Sequence, residues 1–344
     1  MNIQRYVLLI CMPAILLTNC RNNGKADAPS LEVMSQVDSP DEFRISFGSC
    51  NRHDLEQALW DDIVSQNPDA WLWLGDIIYG DTENMDIFKS KYDAQLEQVW
   101  YARLKESTKI YGTWDDHDYG KNNAGKEFSK KKETRDLLFN FLEVPITNDA
   151  WTREGAYQSY IIKDQDITVK LILLDCRYFR DQDKKDGDGD ILGEAQWLWL
   201  ESELNKNEGD VHLIGNGIQI ISEDHKYEKW SNFPKSRNRL FKLLESTKVN
   251  KPILMSGDRH ISELSAVDLQ HYDHPLYDIT SSGLTHPYAS FPGEKNQHRI
   301  GEVINVKNYG SLIFKKTESN SLSVLYQVWG NHKSLITEME LFPN

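Results

Sequence analysis

Five apolar runs in this chain stop abruptly in polar residues, and that repetition constrains the fold more than any other feature. They read FRISFGSC (43–50), AWLWLGDIIYGD (70–81), KIYGTWDDHD (109–118), ITVKLILLDCR (167–177) and KPILMSGDRH (251–260). Short runs rich in β-branched and aromatic residues, stopped by Gly or Asp, read as buried strands. One acid at a strand exit is ordinary turn chemistry. Five such clusters point to one shared site, because open sheets collect ligands just outside their C-terminal strand ends.

Helical spacing fills the gaps between these runs. Leu55, Leu59 and Ile63 predict a helix over 54–69 that ends at Asn67-Pro68, and residues 86–107, 130–144, 194–206 and 237–246 also read as helices. Residues 157–180 read as a hairpin, VHLIGNGIQII (211–221) and LYDITSSGLTH (276–286) as further strands, and 309–342 as three antiparallel strands. Their turns fall at 318–320 and 330–332. Alternating strands and helices with an antiparallel finish predict an α/β (α+β) fold of mixed sheets covered by helices.

The N-terminus gives an address. Arg5 precedes the apolar run YVLLICMPAILL, about 12 residues and too short to span a bilayer, which reads as an export signal. LLTNC (16–20) resembles a bacterial lipoprotein box with Cys20 as the lipidated residue; an ordinary cleaved signal is the plainer alternative. The expected organisation is a signal at 1–19, a flexible tether at 20–41 and one catalytic domain at 42–344, in the cell envelope, either periplasmic or on the outer membrane. A net charge of −14 argues against nucleic acid as a stable partner, and a phosphate-bearing substrate would need local cations. Cys50 and Cys176 are the cysteines of the body, and in an exported protein they invite a disulfide.

The strand exits hold Cys50, Asp76, Tyr79, Asp116, His117, Asn122, Asp258 and His260. Thiol, carboxylate, phenol, imidazole and amide together are a metal-ligand assortment. Without cations, packed carboxylates would repel one another and take up protons. No Ser or Thr stands in a nucleophile elbow and no Gly-rich phosphate loop exists, so the expected nucleophile is a metal-activated water. DKKDGDGDILGE (183–194) imitates a calcium loop, but with Asp186, Asp188 and Asp190 as its first ligands it has Ile191 where Gly is needed and Trp197 where Glu is needed.

The ordered set GSC, GDIIYGD, DDHDYGKNN, LDCRYFR, LGEAQWLWLESEL, GDRH and SSGLTH resembles the PhoD-like (alkaline phosphatase D) branch of the calcineurin-like metallophosphatases, over residues 45–310. That resemblance implies a four-layer sandwich of two mixed sheets flanked by helices, which hydrolyses small phosphate mono- or diesters. It further implies ferric iron on Cys50, Asp76 and Tyr79, additional ligands in Asp258 and His260, and accompanying calcium, other divalent metals being alternatives. Asn122, with Asn123 competing, matches the family's asparagine ligand, and Asp81 has no assigned ligand role.

Plainer roles stand beside these. Tyr79 also fits a core position, and Asp116 with His117 a simple hydrogen-bonded pair rather than ligand and proton donor. Arg177 reads either as a fork for the substrate phosphate or as a brace for Asp175. His286, Asn216 and Gln219 are further candidates at strand exits. Two other functions stay open: phospholipase-D-like head-group hydrolysis, and a non-catalytic, ligand-binding lipoprotein that kept the fold.

Overall fold

Period-two alternation along the strands sorts the apolar side chains onto two faces of each sheet. A computed structural model describes residues 42–183 and 187–343, so the expected signal, Cys20, the tether and Asp186 lie outside the described residues. The strands are β1 Phe43–Gly48, β2 Ala70–Leu74, β3 Lys109–Thr113, β4 Gln158–Asp164, β5 Ile167–Leu173, β6 Val211–Gly215 and β7 Pro252–Ser256. They continue with β8 Ser262–Val267, β9 Leu276–Ser281, β10 Arg299–Ile304, β11 Tyr309–Lys316, β12 Leu322–Trp329 and β13 Leu335–Glu340. One sheet has the order β13-β12-β11-β1-β2-β3 and the other β10-β8-β9-β7-β6-β5-β4. Both are mixed: β1, β2 and β3 run parallel, as do β5, β6, β7 and β9, while the remaining pairs are antiparallel.

The two sheets share a core in which Phe43, Ile45, Leu72 and Leu74 meet Val169, Leu171, Leu213 and Met255. On the outer face of the first sheet, Trp71 and Trp73 pack with Trp60, Tyr101 and Phe139 from the helices Trp60–Ser65, Val99–Ser107 and Lys131–Phe141. Ile172 and Ile214 on the outer face of the second sheet pack with Trp197, Leu200, Leu240 and Leu244. These come from the helices Gly193–Lys206 and Pro234–Thr247. The result is the expected four layers, helix–sheet–sheet–helix. Among the described residues no helix is long and apolar enough to cross a membrane.

Local departures have visible causes. The helix expected over 54–69 is confined to Trp60–Ser65. The preceding stretch is a loop tied down by side chains: Asn51 and Gln57 both donate to Gln95 Oε1, at 2.7 and 2.8 Å, and Leu55 is exposed. The strand expected over 211–221 stops at Gly215 because Ile220 and Ile221 give their N–H groups to the Asp278 carboxylate, at 2.8 and 2.9 Å, instead of a ladder. The strands β8 and β10 were not foreseen; SELSAV has little apolar content and RIGEVI is largely exposed.

Candidate metal centre

The candidate residues meet where parallel strands of both sheets end. Cys50 follows β1, Asp76 follows β2 beyond Gly75, Asp116 and His117 follow β3, and Asp258 and His260 follow β7. Cys50, Asp76, Asp258 and His260 all adopt left-handed backbone conformations, with φ of 57°, 52°, 66° and 56°. Such conformations are unfavourable for residues with side chains and persist where surrounding contacts enforce them.

One carboxylate is the focus. The Cys50 thiol lies 3.5 Å and the Tyr79 hydroxyl 3.4 Å from the same oxygen, Asp76 Oδ2. The other oxygen, Oδ1, accepts the His117 N–H at 3.3 Å. Asp76, Asp116 and His117 each offer a ligand atom, all within 4.8 Å of one another. Asp116 is buried, with Oδ2 accepting the Asn123 N–H at 2.6 Å and Oδ1 left without a partner.

Burial, then Asp116 and the neighbouring carboxylates, push Asp76 well above the usual carboxylate range. Asp258 rises to about 7, from burial first and Asp116 second. Burial likewise raises the Cys50 thiol, with Asp76 adding to it. A buried acidic cluster with an orphaned oxygen, a thiol and a phenol fits cations in its chemistry, since bound cations remove both the repulsion and the unmet acceptor.

Three imidazoles are oriented alike. His260 donates from Nδ1 to the His286 carbonyl at 2.8 Å, and a carbonyl can only accept, so Nε2 keeps its lone pair. His286 Nδ1 lies 2.8 Å from the Thr285 hydroxyl, which itself donates to the Cys50 carbonyl. His117 Nδ1 meets both oxygens of Asp81, at 2.8 and 2.9 Å. Burial pulls His117 down, but Asp81 and Asp116 outweigh it and the net shift is upward. The Tyr79 ring packs at a tilt against His117, with ring centres 4.1 Å apart, and meets His286 edge-on at 5.0 Å, while the His260 and His286 ring centres lie 4.4 Å apart.

A cavity of about 900 Å³ opens over this cluster and is lined by Asp76, Asp116, His117, Asp258, His260 and His286, among others. Asn122 and Asn123 also line it; Asn122 is exposed, and Asn123 has φ 58° with its carbonyl held by Arg180. The cavity is of ordinary ligand size and exceeds what a bare phosphate would need.

Other candidates are engaged elsewhere. Arg177 is fully buried and spends its guanidinium on Asp115, at 2.7 Å from Nε, and on Glu228, at 2.7 Å. It braces Asp115 rather than Asp175, whose carboxylate takes the Arg177 backbone N–H instead. Asn216 holds Trp230, Cys176 and the Met255 carbonyl, and Gln219 donates to Glu263 and Thr280. Cys50 and Cys176 are both buried and unpaired, so the disulfide reading is corrected: each sulfur faces a polar oxygen, Asp76 or Asn216, in place of the other sulfur.

Two acids matter more than the sequence indicated. Asp81, with no assigned ligand role, holds His117. Asp118 accepts the backbone N–H groups of Asp76, Ile77 and Asp115, at 3.1, 3.0 and 2.7 Å, and so pins the two ligand loops together. The Asp-x-His-Asp alternation in DDHD was the available signal, but its partners lie about forty residues away.

The PhoD-like phosphatase family model matches residues 80–321, more than half of the chain. The alkaline phosphatase D of Bacillus subtilis (strain 168) is 21% identical over 179 residues, covering 44% of this chain and 30% of that protein. The chain thus matches less than a third of that curated relative's length. Among solved structures, PhoD superposes with a TM-score of 0.61 at 15% identity, covering 88% of this chain and 72% of that one. A dimetal phosphatase from Danio rerio gives 0.55 at 12% identity, covering 87% and 98%. At such identities the two structures establish the shared fold. With the family model extending over most of that fold, the chain belongs to the PhoD-like phosphatase family.

Proposed function

We propose that this protein is an exported, metal-dependent phosphoesterase acting on small phosphate mono- or diesters. The observation that carries this reading is the convergence of the Cys50 thiol and Tyr79 phenol on one Asp76 oxygen, beside an orphaned Asp116 oxygen under the cavity. Cys50, Asp76, Tyr79 and Asp258 would hold ferric iron, for which thiolate and phenolate are strong donors. Asp116 and Asn122, with Asp76, would hold calcium or another divalent ion through oxygen donors, and His260 would be a further nitrogen donor through Nε2. When bound, such cations supply Lewis acidity and acidify water at neutral pH.

The chain's own residues do the rest. Asp81 fixes the His117 ring by taking its Nδ1–H, which leaves Nε2 to pass a proton to the departing alkoxide. Asp118 holds the Asp76 and Asp115 loops in register, so that Asp76 is preorganised. Arg180 on the cavity wall, paired with Glu228, places a guanidinium beside the acidic cluster.

The test is hydrolysis of p-nitrophenyl phosphate and bis(p-nitrophenyl) phosphate by protein made with iron and calcium available. At least one ester should turn over, and Asp76→Ala should lower kcat/KM by about 100-fold or more without unfolding the protein. Failure on both esters would sink the enzyme reading and favour a ligand-binding role. Export and lipidation rest on the basic, apolar and cysteine sequence of residues 5–20. Cys20→Ala should release a membrane-associated protein into the soluble fraction, and unchanged partitioning would remove the anchor from the proposal.

A further inference from the structure

Beside the acidic cluster, the same cavity has a basic wall that phosphate hydrolysis alone does not use. Arg259, between Asp258 and His260, lines the cavity and is only 4% exposed. Its guanidinium stacks 4.3 Å from the centre of the Tyr227 ring and pairs with Glu294 through one terminal nitrogen. The Nε–H is buried with no partner. A buried donor on a permanently charged group is costly to leave unmet, so the geometry asks for an acceptor.

The surroundings define what kind of acceptor. Lys226, exposed on the same wall, stands 5.3 Å over the Tyr227 ring, and Lys229 nearby donates to neutral acceptors, the Tyr227 carbonyl and Asn232 Oδ1. His225, also buried, has both ring nitrogens without partners; burial, then Arg259 and Lys229, draw it down to about 2, so it stays neutral. The acids facing this wall are already engaged. Glu228 pairs with Arg177 and Arg180, Asp183 accepts from Asn232, and Asp224 pairs with Lys295. Tyr288 completes the wall at the mouth.

We propose that Arg259, stacked on Tyr227 and flanked by Lys226, selects phosphate esters whose leaving alcohol carries a second oxyanion. This rests on the phosphoesterase reading above and adds the class of alcohol. The reacting phosphate sits over the acidic cluster, and the second oxyanion meets the Arg259 guanidinium on the cavity wall. Arg259 is then a specificity-determining residue, while the Tyr227 ring keeps its guanidinium planar and in place.

The experiment compares 4-carboxyphenyl phosphate and 4-phosphonophenyl phosphate with 4-carbamoylphenyl phosphate, a neutral ester of similar shape. The wild-type protein should favour at least one charged ester by about tenfold or more in kcat/KM, mainly through KM. The carboxylate and phosphonate arms show which oxyanion fits. In Arg259→Gln that preference should fall to within about threefold, with Arg259→Lys intermediate. Thermal melting checks the fold; if the Gln variant does not fold, the Lys variant must still show a reduced preference. Equal use of all three esters by the wild type overturns this inference alone, as does an undiminished preference in a folded Arg259 variant. No hydrolysis of any ester overturns the parent reading and this one with it.

Discussion

His117 is held by a carboxylate 36 positions earlier in the chain, and both Asp81 oxygens lie within 2.9 Å of its Nδ1. Asp81→Ala should therefore lower kcat about 10- to 100-fold with little change in KM, because the ring loses its orientation while the ligand residues remain. Native kcat in that variant would return Asp81 to the role of a loop residue. At Cys50 the expectation concerns chemistry rather than rate: on the denatured, unreduced domain, Cys50 and Cys176 should both titrate as free thiols. A disulfide between them would remove the thiolate from the metal reading. That Cys50, Asp76, Tyr79, Asp116, Asp258 and His260 belong to strand exits was legible because they follow apolar runs. Arg177 was not, since nothing local to LDCRYFR discloses that its guanidinium turns to Asp115 and Glu228.

The strand–loop junctions make these placements rigid. Gly75 has φ 93°, and a Cβ there would stand 2.4 Å from Asp115 Cβ. Gly75→Ala should destabilise the fold by about 2–4 kcal/mol through backbone strain and a clash between the two ligand loops, read by denaturant unfolding. A second junction binds helix to sheet. Lys170 on β5 lies 2.6 Å from Glu203 on the helix Gly193–Lys206, which Lys206 and Ser159 also contact. Burial alone would raise Glu203, but Lys170, Lys206 and Ser159 outweigh it and bring it from 4.5 to about 2. A depressed carboxyl stabilises the fold above its unfolded value and loses that contribution as pH falls through its folded one. The unfolding free-energy gap between wild type and Glu203→Gln should thus be constant above about pH 5 and shrink towards pH 2; a gap independent of pH would contradict the pairing. Strands with clean alternation, such as β2 and β5, were readable from sequence. The exposed edge strand β10 and the shortened helix at Trp60 were not, because long-range partners such as Gln95 decide them.

The whole molecule explains why the site needs both sheets. Cys50, Asp76, Asp116 and His117 leave the first sheet, Asp258 and His260 leave the second, and the shared core of Ile45, Leu72, Leu171 and Met255 sets the two edges against each other. Mixed sheets covered by helices were legible from the alternation of strands and helices and the antiparallel finish, and their four-layer stacking through the family resemblance. The packing of Arg259 against Tyr227 and Glu294 was not, since GDRH contains the arginine but discloses nothing of partners more than thirty residues away. An acidic cluster assembled at such a junction ties stability to bound cations, so metal removal should lower the melting temperature as well as activity. The most direct test is phosphate-ester hydrolysis by chelator-treated protein, before and after iron and calcium are restored. Turnover should disappear on metal removal and return with the metals; a demonstrably metal-free protein that keeps its full turnover would contradict the account.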